Sequence, residues 1–81
     1  MVGRGTIRYW AAARAAAGTA EEPYDGATLA DVLRAAETAH GADLARVFSV
    51  ATFLVDGHRA GPSHELPDGG VLEVLPPFAG G

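Results

Sequence analysis

Apolar and polar positions alternate over Thr6-Ile7-Arg8-Tyr9-Trp10, all but the arginine being β-formers, so a first strand is expected there with Tyr9 and Trp10 pointing to opposite sides. The next stretch, 11–17, is alanine except for Arg14. Its helix propensity is strong but it lacks a large apolar face, and Gly18 supplies a stop, which predicts a short helical turn. Residues 20–24 place Glu21 and Glu22 beside Pro23, a combination that suits an edge strand better than a central one. The clearest period is helical. Leu29, Val32, Leu33 and Ala36 fall at i, i+3, i+4 and i+7, one apolar stripe facing a sheet. Thr28 and Asp31 have the spacing of a capping box, with Asp in place of Glu or Gln, and Gly41 ends the pattern. A helix from Thr28 to His40 follows, with Leu29, Val32 and Leu33 inward.

Beyond it, residues 43–48 suggest a brief helical turn that plugs one end of the core with Leu44, Val47 and Phe48. Residues 50–55 are rich in β-branched and aromatic side chains and read as a strand. Asp56-Gly57 signals a two-residue hairpin with His58-Arg59-Ala60 as the short return. After loop residues Gly61-Pro62-Ser63 and a turn at Leu66-Pro67-Asp68-Gly69-Gly70, Val71-Leu72-Glu73-Val74-Leu75 forms a final strand. Two opening strands, one main crossing helix and a late β-segment describe an α+β roll. The β-grasp architecture of ubiquitin-like proteins has this order, with a mixed sheet, although order alone leaves other small α+β folds open.

Composition narrows the function. Eighty-one residues make one domain, and a chain this short buries only about 60% of its unfolded surface. Leu, Ile, Val and Phe total 18 residues, so the core must be economical; seventeen alanines add little burial each. The chain has no Cys, which excludes a disulfide framework and a thiolate zinc site. No run is long and apolar enough for a membrane span, Arg8 and Arg14 interrupt the early apolar stretch, and glycine is third rather than second, so the expectation is a cytoplasmic chain without membrane association. The net charge is −4, and the six basic residues, all Arg, are dispersed along the chain. That pattern offers no stripe for a phosphate backbone, so no nucleic-acid partner is expected.

The chemistry is expected at the other end. Pro76 and Pro77 lack the N–H a sheet ladder needs, so the last strand must stop and the chain must leave the body. This divides the chain into a folded body, 1–75, and an extended tail, 76–81, expected to be mobile without a partner. Gly80 and Gly81 have no side chain and can thread a slot that would reject a Cβ. A terminal carboxylate is anionic at neutral pH and can attack the α-phosphate of ATP if another protein positions that phosphate.

Here the sequence resembles the MoaD/ThiS family of ubiquitin-like sulfur carriers, most closely its MoaD branch, the small subunit of molybdopterin synthase. The resemblance runs from Ile7 to Gly81. Its carriers are Tyr9-Trp10-Ala11-Ala12-Ala13-Arg14 running to Gly18, the Leu66-Pro67-Asp68-Gly69 turn, and above all Pro76-Pro77-Phe78-Ala79-Gly80-Gly81. The hairpin Asp56-Gly57-His58-Arg59 departs from it in being more polar. The resemblance implies a β-grasp fold and a carrier that is not a self-sufficient catalyst. A ubiquitin-activating-type enzyme would adenylate Gly81 using ATP, a sulfur donor would replace the AMP, and the thiocarboxylate would give its sulfur to a pterin held by the large subunit of molybdopterin synthase. No cofactor would be bound by the chain itself. Pro76, Pro77, Phe78, Ala79 and Gly80 would thread the partner's active site, and Trp10, Arg14, Arg59 and Leu75 would serve docking, with Phe78 in the same apolar patch. Other destinations for the sulfur (thiamin, cysteine, a secondary metabolite), conjugation of Gly81 to lysines as a ubiquitin-like modifier, and an inert interaction module stay open.

The residues alone leave Trp10 as core or interface and Arg14 as surface charge or anchor. Asp56, His58, His64 and Glu65 match no metal-ligand spacing and read as solvated loop residues. His40 is expected to sit at a helix C-terminus, where it complements the dipole.

Overall fold

The computed structural model describes residues 2–77. The expectations placed on Phe78, Ala79, Gly80 and Gly81 lie outside the described residues. The chain order is β1 (Gly3–Tyr9), α1 (Ala11–Ala17), β2 (Glu21–Gly26), α2 (Leu29–His40), α3 (Ala42–Phe48), β3 (Thr52–Val55), β4 (His58–Arg59) and β5 (Val71–Leu75). The strands form one mixed sheet in the order β2-β1-β5-β3-β4. β1 and β5 run parallel in the middle, and every other pairing is antiparallel. This is the α+β, β-grasp roll. No described helix is long and apolar enough to cross a membrane.

Alternation decides which strand residues are buried. Ile7 and Tyr9 of β1, Leu72 and Val74 of β5 and Val55 of β3 join one core with Ala13 and Ala17 of α1, Leu29, Val32 and Ala36 of α2, and Leu44 and Phe48 of α3. β1 begins three residues earlier than its alternation suggests, because Gly3, Arg4 and Gly5 pair with Gly26, Asp25 and Tyr24 of the edge strand β2. Gly5 is required there: a Cβ would run into the Gly70 carbonyl and the Tyr24 ring.

α2 forms as its sequence dictates. The Thr28 hydroxyl accepts from the Asp31 N–H, and the Asp31 carboxylate accepts from the Thr28 N–H, both at 3.3 Å. Two further first-turn donors are satisfied from a distant loop, Leu29 N–H by the His64 carbonyl and Ala30 N–H by that of Pro62. Leu29, Val32 and Ala36 are buried, whereas Leu33, expected inward beside them, packs on the margin of the core and is only partly buried. α1 is a full seven-residue helix whose small buried residues, Ala13 and Ala17, let it lie close on the core, and Gly18 ends it in the left-handed region.

Two residues fall outside the strands expected for them. Trp10 is not part of β1 but the residue before α1, because Ala11 adopts φ +48° and turns the chain off the sheet. Val50 is 64% exposed and precedes β3, because the end of α3 uses the following backbone: Val50 N–H donates to Val47 and Ala51 N–H to Phe48. The β3–β4 turn is as expected, with Asp56 and Gly57 both at positive φ, the geometry of a two-residue hairpin turn.

Candidate functional site

The helices cover one face of the sheet. On the other face stand the alternate residues: Thr6 and Arg8 of β1, Val71, Glu73 and Leu75 of β5, Thr52 and Leu54 of β3. β5 ends at Leu75 in the centre of the sheet, so Pro76 and Pro77 leave between the end of β1 and the start of β3, where Leu75 faces Thr52. Pro76 is half-buried and Pro77 exposed.

The structure gathers three of the four expected docking residues. The Tyr9–Val74 register brings Trp10 beside Leu75, and the Trp10 N–H donates to the Val74 carbonyl. Trp10 is 47% exposed, which settles it as a surface residue and not core. Its indole Nε1 donates to Glu73 Oε2 at 3.1 Å. Arg14, exposed on α1, shares with Trp10 a shallow hollow of about 150 Å³, bounded also by Arg8, Tyr9, Ala20 and Glu21. Leu75 is half-buried. Arg59 stands apart: it is exposed on the edge strand β4, opposite Leu54 and two strands from β5.

Sequence reasoning missed Glu73 and Leu54, which occupy the same face as Leu75. The signal was present, since Leu72 and Val74 define the buried register and Glu73 must then point outward from a central strand. It also missed a cluster on the helix-covered face of the sheet. The Tyr9 hydroxyl donates to Glu22 Oε2, and His40 Nε2 lies 2.7 Å from the same oxygen. Burial, then the hydrogen bond and charge of Glu22, push the Tyr9 phenol well above its ordinary value. His40 thus does more than complement a dipole; it fastens the end of α2 to β2.

Among the described residues no three His, Asp or Glu side chains gather as a metal site. Asp56 is committed to β5, its Oδ1 accepting from the Val71 N–H at 2.8 Å. The arrangement therefore presents a surface and a departing chain end.

Comparison with known proteins adds the following. The profile of the ThiS family matches residues 7–81. Curated protein sequences yield no match. The crystal structure of small archaeal modifier protein 1 from Haloferax volcanii is similar, with a TM-score of 0.85 at 28% identity over 98% of this chain and 100% of that one. A Pyrococcus furiosus protein described as molybdopterin converting factor subunit 1 gives a TM-score of 0.77 at 24% identity over 94% and 99%. Subunit 1 of the Helicobacter pylori molybdopterin-converting factor, solved in complex with subunit 2, gives 0.69 at 22% over 96% and 99%. The last two likenesses concern the fold alone.

Proposed function

Because this chain belongs to the ThiS family of ubiquitin-like carriers and modifiers, we propose that it is a sulfur carrier whose Gly81 carboxylate is activated and converted to a thiocarboxylate for molybdopterin synthesis. The observation that carries this reading is that the family match runs through Pro76-Pro77-Phe78-Ala79-Gly80 to Gly81 itself. The chemistry explains why such an end is useful. A carboxylate is a poor electrophile. Attack of its oxygen on the α-phosphate of ATP expels pyrophosphate and leaves an acyl-adenylate, whose carbonyl carbon accepts a sulfur nucleophile as AMP departs. With no Cys in the chain, the sulfur comes from an external donor. ATP is held by the adenylating partner, and the chain supplies reach and docking.

The body supports this role through the open face. Trp10 and Leu75 flank the point where the diproline leaves the sheet, with Arg14 beside Trp10, so a partner that grips this surface also receives the tail. The Helicobacter pylori pair is a precedent for a subunit 1 joined to a subunit 2, the role assigned here to the large subunit of molybdopterin synthase. A second reading, a protein modifier joined through Gly81 to lysines, is favoured by the likeness to the Haloferax volcanii modifier.

Mass spectrometry separates the two. Incubated with ATP, the adenylating enzyme of its own cell and a sulfide source, the chain should gain the mass of one oxygen-for-sulfur exchange at Gly81. A ladder of lysine conjugates in cells, without that exchange, would establish the modifier reading instead.

A further inference from the structure

Glu73 is the carboxylate in the middle of the open face, on the central strand, in register with Arg8 on one side and Leu54 on the other. Glutamate is a poor strand former, so strand propensity does not account for it. Its Oε2 accepts the neutral Trp10 Nε1–H, and among the described residues no cation comes within 4.0 Å of its oxygens. Arg8, the adjacent arginine, gives its Nε to Glu21 at 2.8 Å. The Glu73 carboxylate thus keeps acceptor capacity and has no direct ion-pair partner among the described residues. The indole beside it is fixed at its edge by Glu73 and at its backbone by the Val74 carbonyl. The next residue, Ala11, is held at φ +48°, a conformation that a residue with a Cβ keeps only when its surroundings impose it.

We propose that Trp10 and Glu73 together form a receptor for a basic side chain, arginine in preference to lysine, presented by the protein that docks on this face. A guanidinium is planar, so it can lie on the indole and still direct its N–H fork at the carboxylate; an ammonium is a point charge that serves one of the two well. Leu75 and Leu54 border the site, so a partner seated on them would exclude water from the pair and strengthen it. The net charge of −4 favours approach of a basic surface. The assignment of the docking protein as the adenylating enzyme rests on the carrier reading; the receptor itself does not.

The chain has one tryptophan, so its ¹⁵N-labelled form gives one indole N–H resonance, which reports Trp10 alone. Titration of the full chain with N-acetyl-arginine amide should move that resonance saturably, and N-acetyl-lysine amide should move it less. Glu73→Gln keeps an acceptor for Nε1 but removes the charge, and should abolish the response; Glu65→Gln, which removes one charge from an exposed loop, should not. With the unlabelled adenylating enzyme, Glu73→Gln should weaken binding about tenfold or more, while Glu65→Gln binds as the parent. An indole resonance indifferent to the arginine amide, or a response that survives in Glu73→Gln, would overturn the receptor, and unchanged enzyme binding by that variant would overturn its use in docking the adenylating enzyme. Failure of the carrier reading looks different: the unaltered chain gains no sulfur at Gly81, and the arginine titration still decides the receptor.

Discussion

Tyr9, Glu22 and His40 come from three elements and meet at one carboxylate oxygen, so each is a point where a single atom can be tested. Tyr9→Phe removes a buried hydroxyl donor and should cost roughly 1–2 kcal/mol in urea unfolding at neutral pH. The same variant should change the alkaline limb. The folded phenol titrates above the ordinary value of 10.0, so the unfolded chain loses its proton first. The contribution of the protonated phenol is therefore intact below pH 10 and is lost as pH rises from there towards the folded value. Tyr24, pushed upward chiefly by burial, adds a slope of the same sign to both proteins. Urea midpoints between pH 9 and 11 should fall less steeply for Tyr9→Phe than for its parent, and equal slopes would contradict the assignment. Gly5→Ala tests a different constraint, since its Cβ meets the Tyr24 ring and a backbone carbonyl that cannot move freely. It should destabilise by about 1–3 kcal/mol. None of this was legible in the sequence, because Glu22 and His40 lie 18 residues apart and Tyr24 meets Pro67 across 43.

Elements were legible where their signals are local. α2 has its cap, its stripe and its stop within residues 28–41, and the structure reproduces all three. Thr28→Ala should cost about 1 kcal/mol of stability by losing the cap, and Leu29→Ala about 2–5 kcal/mol by opening a cavity in the core; equal losses in thermal or urea unfolding would contradict this ranking. Leu33 packs against the core as expected but is only partly buried, because the stripe is wider than the surface it covers, and this predicts a smaller loss than at Leu29. Trp10 and Val50 were misassigned for another reason. Both have strong β propensity, and both were overruled by a neighbouring helix that takes their backbone, α1 through Ala11 and α3 through its last carbonyls. Once Trp10 leaves the strand, its side chain is free to reach Glu73, which is how a strand-end residue became part of the open face.

At the scale of the whole molecule, the pairing that matters joins the chain's first strand to its last, Ile7 against Leu72, and no local pattern specifies it. The family resemblance supplied that topology, and the sheet order then fixes the consequence: the last strand is central and ends on the open face beside Trp10. A tail leaving from a central strand starts at a fixed place, so its length sets where its end arrives. Removing Gly81 leaves a carboxylate of the same kind on Gly80 but shortens the reach by about 3.5 Å. A misplacement of about 1 Å can already cost 10²-fold when an oxygen must line up with a phosphorus. The chain lacking Gly81 should therefore still bind its adenylating enzyme through Trp10, Glu73 and Leu75, with an unchanged affinity in calorimetry, yet gain no sulfur by mass spectrometry. A chain with one residue added after Gly81 should behave likewise, its carboxylate carried past the phosphate. Sulfur transfer to the shortened chain at the parent rate would show that the body, and not the length of the tail, selects the reacting group, and the requirement for a terminus at Gly81 would have to be abandoned.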